Sequence, residues 1–233
     1  MELRVTDLKC LRGGIPVLDG VSFAVPAGQA LILRGPNGIG KTTLLRTLAG
    51  LQPAEAGEIA YPAEEGAYAS HEDGIKAALS VRENLAFWAS VYGRAMDESV
   101  LRAFDLVDLA ERPAATLSSG QKRRLGLARL GVIGRKVLFL DEPTISLDRF
   151  SVRLFADFLR DQHLAKGGIA VIATHIDLGL EAPELDLQPF RAAPEATGGS
   201  LKTIGFAKKH RKPCLHIPQD GVGLFDPAQQ LRE

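Results

Sequence analysis

"QALILRGPNGIGKTTLLRTLAG", residues 29–50, decides the architecture of this chain. "QALILRG" reads as a buried strand that runs straight into a glycine-rich loop, and "KTTLLRTLAG" reads as a helix with Gly50 as its stop. Between them, "GPNGIGKT" satisfies G-x-x-x-x-G-K-[ST] in full. Gly35, Gly38 and Gly40 let the backbone wrap, with Pro36, Asn37 and Ile39 between them, so that N–H groups point at phosphate oxygens. Lys41 adds a positive charge for the outer phosphates, and Thr42, followed by Thr43, can offer a hydroxyl to Mg²⁺. A structural glycine turn would need neither the lysine nor the strand and helix on either side. The stretch implies a nucleoside triphosphate site in an α/β fold.

Outward from this loop, alternation in "LRVTDL" (3–8) and "VSFAVP" (21–26) suggests early half-buried strands, with "GEIAYP" and "GAYAS" as short later ones. From about residue 72 the texture becomes helical. "SVRENLAFWASVYG" opens on Ser80 with Glu83 three positions on, a capping box. Strand texture returns at "KVLFLDEP" (136–143), followed by a helical pattern in "FSVRLFADFLRDQHLAKGG" and a buried strand at 168–173. A helical insert, about 72–130, thus splits an α/β core. After about residue 190, "RAAPEATGGS" reads as a linker to an appendage, residues 191–233, whose "TGGSLKTIGFAKKHRKPCLHI" suggests a helix and then a strand; "KKHRK" within it is most simply a solvated face.

The 233 residues carry 28 Lys plus Arg against 28 Asp plus Glu, which argues against a nucleic-acid partner held by an overall basic field. Cys10 and Cys214 lie far apart without metal-type spacing, as expected of reduced thiols. No segment approaches the ~20 apolar residues that cross a bilayer, and the opening "MELRVTDLK" is charged and alternating, unlike a secretory signal. A cytosolic position is expected, with any membrane association made through a partner.

Two further stretches complete the chemistry. "KVLFLDEP" is a buried strand delivering acids at its carboxyl end: Asp141 to hold Mg²⁺ through water, and Glu142 to take a proton from an attacking water. An acidic pair after a strand is, in isolation, more often a cap or a solvated edge; the phosphate loop upstream favours the functional reading. "TLSSGQKRR" (116–124) is a second helix start suited to a phosphate, which one nucleotide does not require.

In this order the motifs resemble the ATP-binding subunits of ABC transporters, over residues 2 to 190. Leu117, Ser118, Ser119, Gly120 and Gln121 are similar to the family signature; Ser146, Leu147 and Asp148 stand where its D-loop lies; His175 follows "IAVIAT" as its switch histidine does. The resemblance implies a P-loop NTPase fold with a RecA-like core, an antiparallel β subdomain and a helical insert. It also implies ATP and Mg²⁺ as ligands, with Glu142, His175 and Lys41 as the catalytic set. Two copies would pair head-to-tail, so that the "LSSGQ" of one closes over ATP held by the other.

Two departures narrow the resemblance. Arg12, in "CLRGGIPVL", stands where the family usually places an adenine-stacking aromatic; a guanidinium can also stack on a base. His71 stands where the family has the glutamine that joins core and insert. With "RGG", "SHEDGIK…LSVRENLAFW" and "LSSGQKRRLGLARL", these features resemble the haem-exporter ATPases of cytochrome c biogenesis. That branch implies an integral membrane subunit of the CcmB type, attachment at the cytoplasmic face of the inner membrane, and ATP-driven release of the haem-loaded chaperone CcmE. An ABC ATPase for another cargo, or a soluble non-transport one, is the alternative. Ile75 and Leu79, ahead of the capped helix, are the residues expected to face a membrane partner.

Overall fold

The computed structural model describes residues 1–70, 72–145 and 147–193, and the backbone of 215–216. His71, Ser146 and most of the appendage expected after residue 190 lie outside the described residues.

β1 (Glu2–Arg12) and β2 (Ile15–Pro26) form an antiparallel hairpin across Gly13–Gly14, whose φ angles of 59° and 82° suit a two-residue turn with both central residues left-handed. On β1 the inward side chains are Leu3 and Val5, then Leu8 and Cys10. That alternation slips by one residue at a bulge, where Asp7 takes φ 46°, so both pairs still face the core. β4 (Ala56–Ala60) pairs antiparallel with β1 and completes a three-stranded sheet ordered β2-β1-β4.

The second sheet is parallel throughout. It contains β3 (Ala30–Arg34), β5 (Gly66–Ala69), β6 (Val137–Asp141), β7 (Ile169–Ala173), β8 (Glu184–Asp186) and β9 (Leu215–His216), in the order β8-β3-β7-β6-β5-β9. β6 and β7 are buried along their whole length, which is why they read as unbroken apolar runs rather than alternating ones. Their side chains, and those of β3, divide between two cores. Leu31 and Leu33 face the antiparallel sheet and α1 (Lys41–Leu48); Ala30 and Ile32 face the helices.

Those helices are α2 (Val81–Val91), α3 (Ser99–Ala103), α4 (Ser119–Val132) and α5 (Arg149–Asp157), the last continuing through a π-helical turn at Phe158–His163. The Ser80–Glu83 capping box forms in both directions, Glu83 N–H to Ser80 Oγ at 3.1 Å and Ser80 N–H to Glu83 Oε2 at 2.7 Å. Residues 72–79, by contrast, run as an irregular segment, with Ile75 half-buried against the helical core. Arg191 bridges to Leu18 and Ala192 N–H donates to Val17 C=O at 3.1 Å, so the chain stays bonded to β2 just past residue 190.

His163 sits where the π-helical turn meets β7. It is buried, with Nε2 3.1 Å from the Ile169 carbonyl, and a Cβ on Gly168 would touch its ring at 2.6 Å. The carbonyl calls for the Nε2–H tautomer. Burial pulls the imidazole below the usual histidine range, and the Ile169 bond opposes this only partly. The folded state therefore resists a proton that the unfolded chain accepts below about pH 6.5. Stability supplied by neutral His163 is complete above that value and is lost as pH falls beneath it, by up to about 1.4 kcal/mol per pH unit. Urea melts of wild type and His163→Gln at pH 7.5 and 5.5 should show the wild type losing more stability on acidification; parallel losses would remove His163 from the acid response.

Candidate active site

Three strands deliver the site from their carboxyl ends. β3 ends in the loop Gly35–Gly40, β6 ends in Asp141 and Glu142, and β7 ends before Thr174 and His175. Because β7 lies between β3 and β6, its following histidine falls between the glycine loop and the acids.

The loop is shaped by its glycines. Gly35, Gly38 and Gly40 have φ angles of 133°, 82° and 117°, and a Cβ on Gly40 would press on Leu18 Cγ at 3.0 Å. Ile39 turns inward and anchors the loop in the core. α2, α4 and α5 are capped by Ser80, Ser118 and Asp148, whereas α1 starts at Gly40 with no side-chain cap. Its first N–H groups and positive dipole end remain available to an anion.

Lys41 folds back across the loop it follows, donating from Nζ to the Gly35 carbonyl at 2.7 Å. His175 Nε2 stands 3.4 Å from that ammonium, 3.2 Å from Asn37 Oδ1 and 3.4 Å from Glu142 Oε1. A hydrogen on Nε2 would be donated to an oxygen, whereas a bare Nε2 would accept from the ammonium, so the tautomer sets which contact is a hydrogen bond. Glu142 adopts φ 49°, uncommon for a residue with a side chain, and its N–H donates to Ala173 C=O at 2.9 Å. Asp141 is buried, and its Oδ2 accepts a hydrogen bond from the Tyr68 hydroxyl at 3.1 Å. Burial and then the Asp141 charge push the Tyr68 phenol well above its ordinary pKa, so it stays a donor.

A cavity of about 480 Å³ joins these groups. Lys41, Thr42, Asp141 and Glu142 line one end; Arg12, Val17, Arg46 and Gln52 line it as well. Gln52 Nε2 shares its two hydrogens among Thr47 Oγ1 at 2.9 Å, Thr43 C=O at 3.2 Å and Leu11 C=O at 3.3 Å, which ties the end of β1, and with it Arg12, to α1. Thr42 and Asp141 meet on this cavity as two hard oxygen donors, a set that suits Mg²⁺ carrying its own waters and substrate oxygens.

Among the expected site residues, Leu117, Ser118, Ser119, Gly120 and Gln121 do not line this cavity. Leu117 is buried as an anchor, and Ser118 and Gln121 cap α4 reciprocally at 3.3 and 2.9 Å, with Ser118 and Ser119 exposed. Asp148 caps α5 through Ser151 N–H at 2.7 Å, the bond that chiefly lowers its pKa, and Leu147 packs on the helical core. Several residues near the site were not singled out from the sequence: Tyr68, Arg46, Gln52, Arg34, Thr144 and Thr174. Thr144 and Thr174 share a hydrogen bond of 3.2 Å that joins the loops after β6 and β7, and Arg34 reaches Thr174 C=O at 2.5 Å and Glu184 at 2.7 Å. Adjacency to Glu142 and His175 was the one signal that pointed to the threonines.

The family model described as ABC transporter matches residues 18–145. The cytochrome c biogenesis ATP-binding export protein CcmA of Cereibacter sphaeroides is 62% identical over 197 residues, covering 84% of this chain and 93% of that protein. The protein of the same name from Ruegeria pomeroyi is 62% identical over 194 residues, 83% and 95% of the two chains. Among solved structures, a putative ABC transporter ATP-binding protein from Pyrococcus furiosus superposes with TM-score 0.73 at 25% identity, covering 82% of this chain and all of that one. The chain belongs to the ABC transporter ATP-binding family, in the branch of the cytochrome c biogenesis ATP-binding export proteins CcmA.

The position of Arg12 on the cavity generates a test of base stacking. Arg12→Ala should weaken ATP binding by about 0.5–2 kcal/mol, and Arg12→Tyr should largely restore it. Titration with a fluorescent ATP analogue measures both, and an unchanged dissociation constant for Arg12→Ala would place this residue outside the base site.

Proposed function

We propose that this chain is the ATP-hydrolysing subunit of the haem exporter of cytochrome c biogenesis, driving release of the haem-loaded chaperone CcmE. The observation that carries hydrolysis is the meeting of Lys41, His175 and Glu142 at the uncapped start of α1. The assignment to cytochrome c biogenesis draws its support from the similarity to CcmA over most of both chains.

In this reading the phosphates of ATP lie against the N–H groups of the Gly35–Gly40 loop and α1. Lys41 exchanges its bond to the Gly35 carbonyl for the outer phosphate oxygens. Thr42 and Asp141 would hold Mg²⁺, which when bound would neutralise charge on the transferring phosphoryl group. Tyr68 donates to one oxygen of Asp141, and the carboxylate keeps further acceptor capacity with which it would hold the ion. Glu142 accepts the proton of the attacking water, and His175 donates from Nε2–H to the γ-phosphate. Asn37 and the rest of the loop position the phosphates; Arg12 covers the base.

A second copy completes the site. The exposed start of α4, with Ser118, Ser119 and the Gly120 N–H, closes over the neighbour's γ-phosphate; Ser118 Oγ accepts the capping bond and still has its own hydrogen to donate. Leu147 and Asp148 lie at that interface. Residues 2–190 act as the ATPase unit, with no role given to 191–233. Among the described residues no helix is long and apolar enough to cross a membrane. The transport path accordingly belongs to a CcmB-type membrane subunit, which holds this chain at the cytoplasmic face near Ile75 and Leu79.

Glu142→Gln should bind ATP normally, lose hydrolysis, and run as a dimer by size exclusion in Mg–ATP, because the amide cannot accept the water's proton. Lys41→Ala should lose about 10²–10³ in rate. A Glu142→Gln protein that stays monomeric and still hydrolyses ATP sinks both the base and the composite site.

A further inference from the structure

α4 does more than present its first turn. Arg123, one turn further along, is buried, and its guanidinium joins two segments that are distant in sequence. Nη1 donates to Asp73 Oδ1 at 2.9 Å, and Nη2 donates to the Pro143 carbonyl at 2.5 Å. Two turns on, Arg129 donates to the carbonyls of Asp73 and Glu72 at 2.7 and 3.0 Å. Gly126 lies between them, and a Cβ there would meet Asp73 at 2.8–2.9 Å, so the 72–73 backbone rests directly on the helix.

Pro143 follows Glu142. Glu142 is held at φ 49° by its N–H bond to Ala173, and its own carbonyl accepts from Ile145 N–H at 3.3 Å. Sparsely populated backbone conformations persist only where the surroundings over-determine them. Arg123 supplies the tether on the C-terminal side. A planar guanidinium suits the task because its two terminal nitrogens diverge at a fixed angle and can hold acceptors from two segments at once; an ammonium holds a single point.

We infer that Arg123 is a positioning residue for Glu142, acting through the Pro143 carbonyl and linking the carboxylate to the helix whose start meets the second copy's nucleotide. This rests on Glu142 being the base of the proposed reaction. Loss of the tether lets the 142–143 backbone relax and shifts the carboxylate away from the attacking water, while the phosphate loop, anchored elsewhere, still binds ATP.

The test uses the full chain. Single-turnover hydrolysis of bound Mg–ATP and the dissociation constant for a fluorescent ATP analogue are measured for Arg123→Gln, Arg123→Lys, Asp73→Asn and Glu142→Gln, with a thermal melt of each. Arg123→Gln should slow hydrolysis by about tenfold to a hundredfold, the scale of a misplaced catalytic group, with the dissociation constant within about twofold of wild type. Arg123→Lys should recover part of the rate by keeping a cationic donor group that can reach one of the two segments. Asp73→Asn, which spares the Pro143 contact, should stay within about twofold of the wild-type rate. A folded Arg123→Gln protein with normal single-turnover rate overturns the inference, and so do rate, affinity and melting point falling together in both arginine variants. If Arg123→Gln does not fold, Arg123→Lys decides, a full rate being the negative result. Should Glu142→Gln itself hydrolyse ATP, the base assignment and this inference fall together; an inactive Glu142→Gln beside a normal Arg123→Gln sinks the inference alone.

Discussion

The rest of the molecule is arranged around a helix start left without a partner. Four N–H groups at the head of any helix need acceptors, and side chains normally supply them. α1 follows a glycine in the left-handed region instead, at the end of a strand buried on both faces. Leaving those donors unsatisfied stores an affinity for phosphate in the backbone itself, where it does not depend on a flexible side chain. The cost is a local anion hole that must be rigid. Ile39 below the loop and Leu18 against Gly40 provide that rigidity from the core.

Parallel strand order then brings the chemistry to that hole. In a sheet whose strands all point one way, every carboxyl end lies at one edge, and crossover connections place neighbours from distant parts of the chain. β3, β7 and β6 stand side by side, so the glycine loop, His175 and the Asp141–Glu142 pair converge although 138 residues separate Asn37 from His175. The Thr144–Thr174 bond and the Arg34 contact to Thr174 fasten these loops to one another. In the low-dielectric interior such polar links are strong when satisfied, and here they join the loops that follow neighbouring strands.

Charge follows the same plan. The chain as a whole is neutral, yet Lys41, Arg12 and Arg46 line one cavity with Asp141 and Glu142. Cations on the wall of a cavity suit a polyphosphate, and the two carboxylates stand beside them rather than apart. Lys41 donates to the Gly35 carbonyl, and His175 lies between Asn37 and Glu142.

What the sequence determined by itself was everything encoded over a turn or two of backbone. The phosphate loop, the capping box at Ser80, the helix start at Ser118, and the apolar runs of β6 and β7 were legible because each depends on residues a few positions apart. The order of the motifs carried the family as well. The bulge at Asp7 was not legible, since a slip in alternation shows its reason only when the paired strand is known. Only the tertiary structure decided that Tyr68 donates to Asp141 across 73 residues, that His175 meets Lys41 across 134, and that Arg123 joins Asp73 to Pro143. Those contacts follow from which strands become neighbours and how a helix lies on the loops between them. Sheet order and helix seating are set by the packing of whole layers, a property that no local period in the chain records.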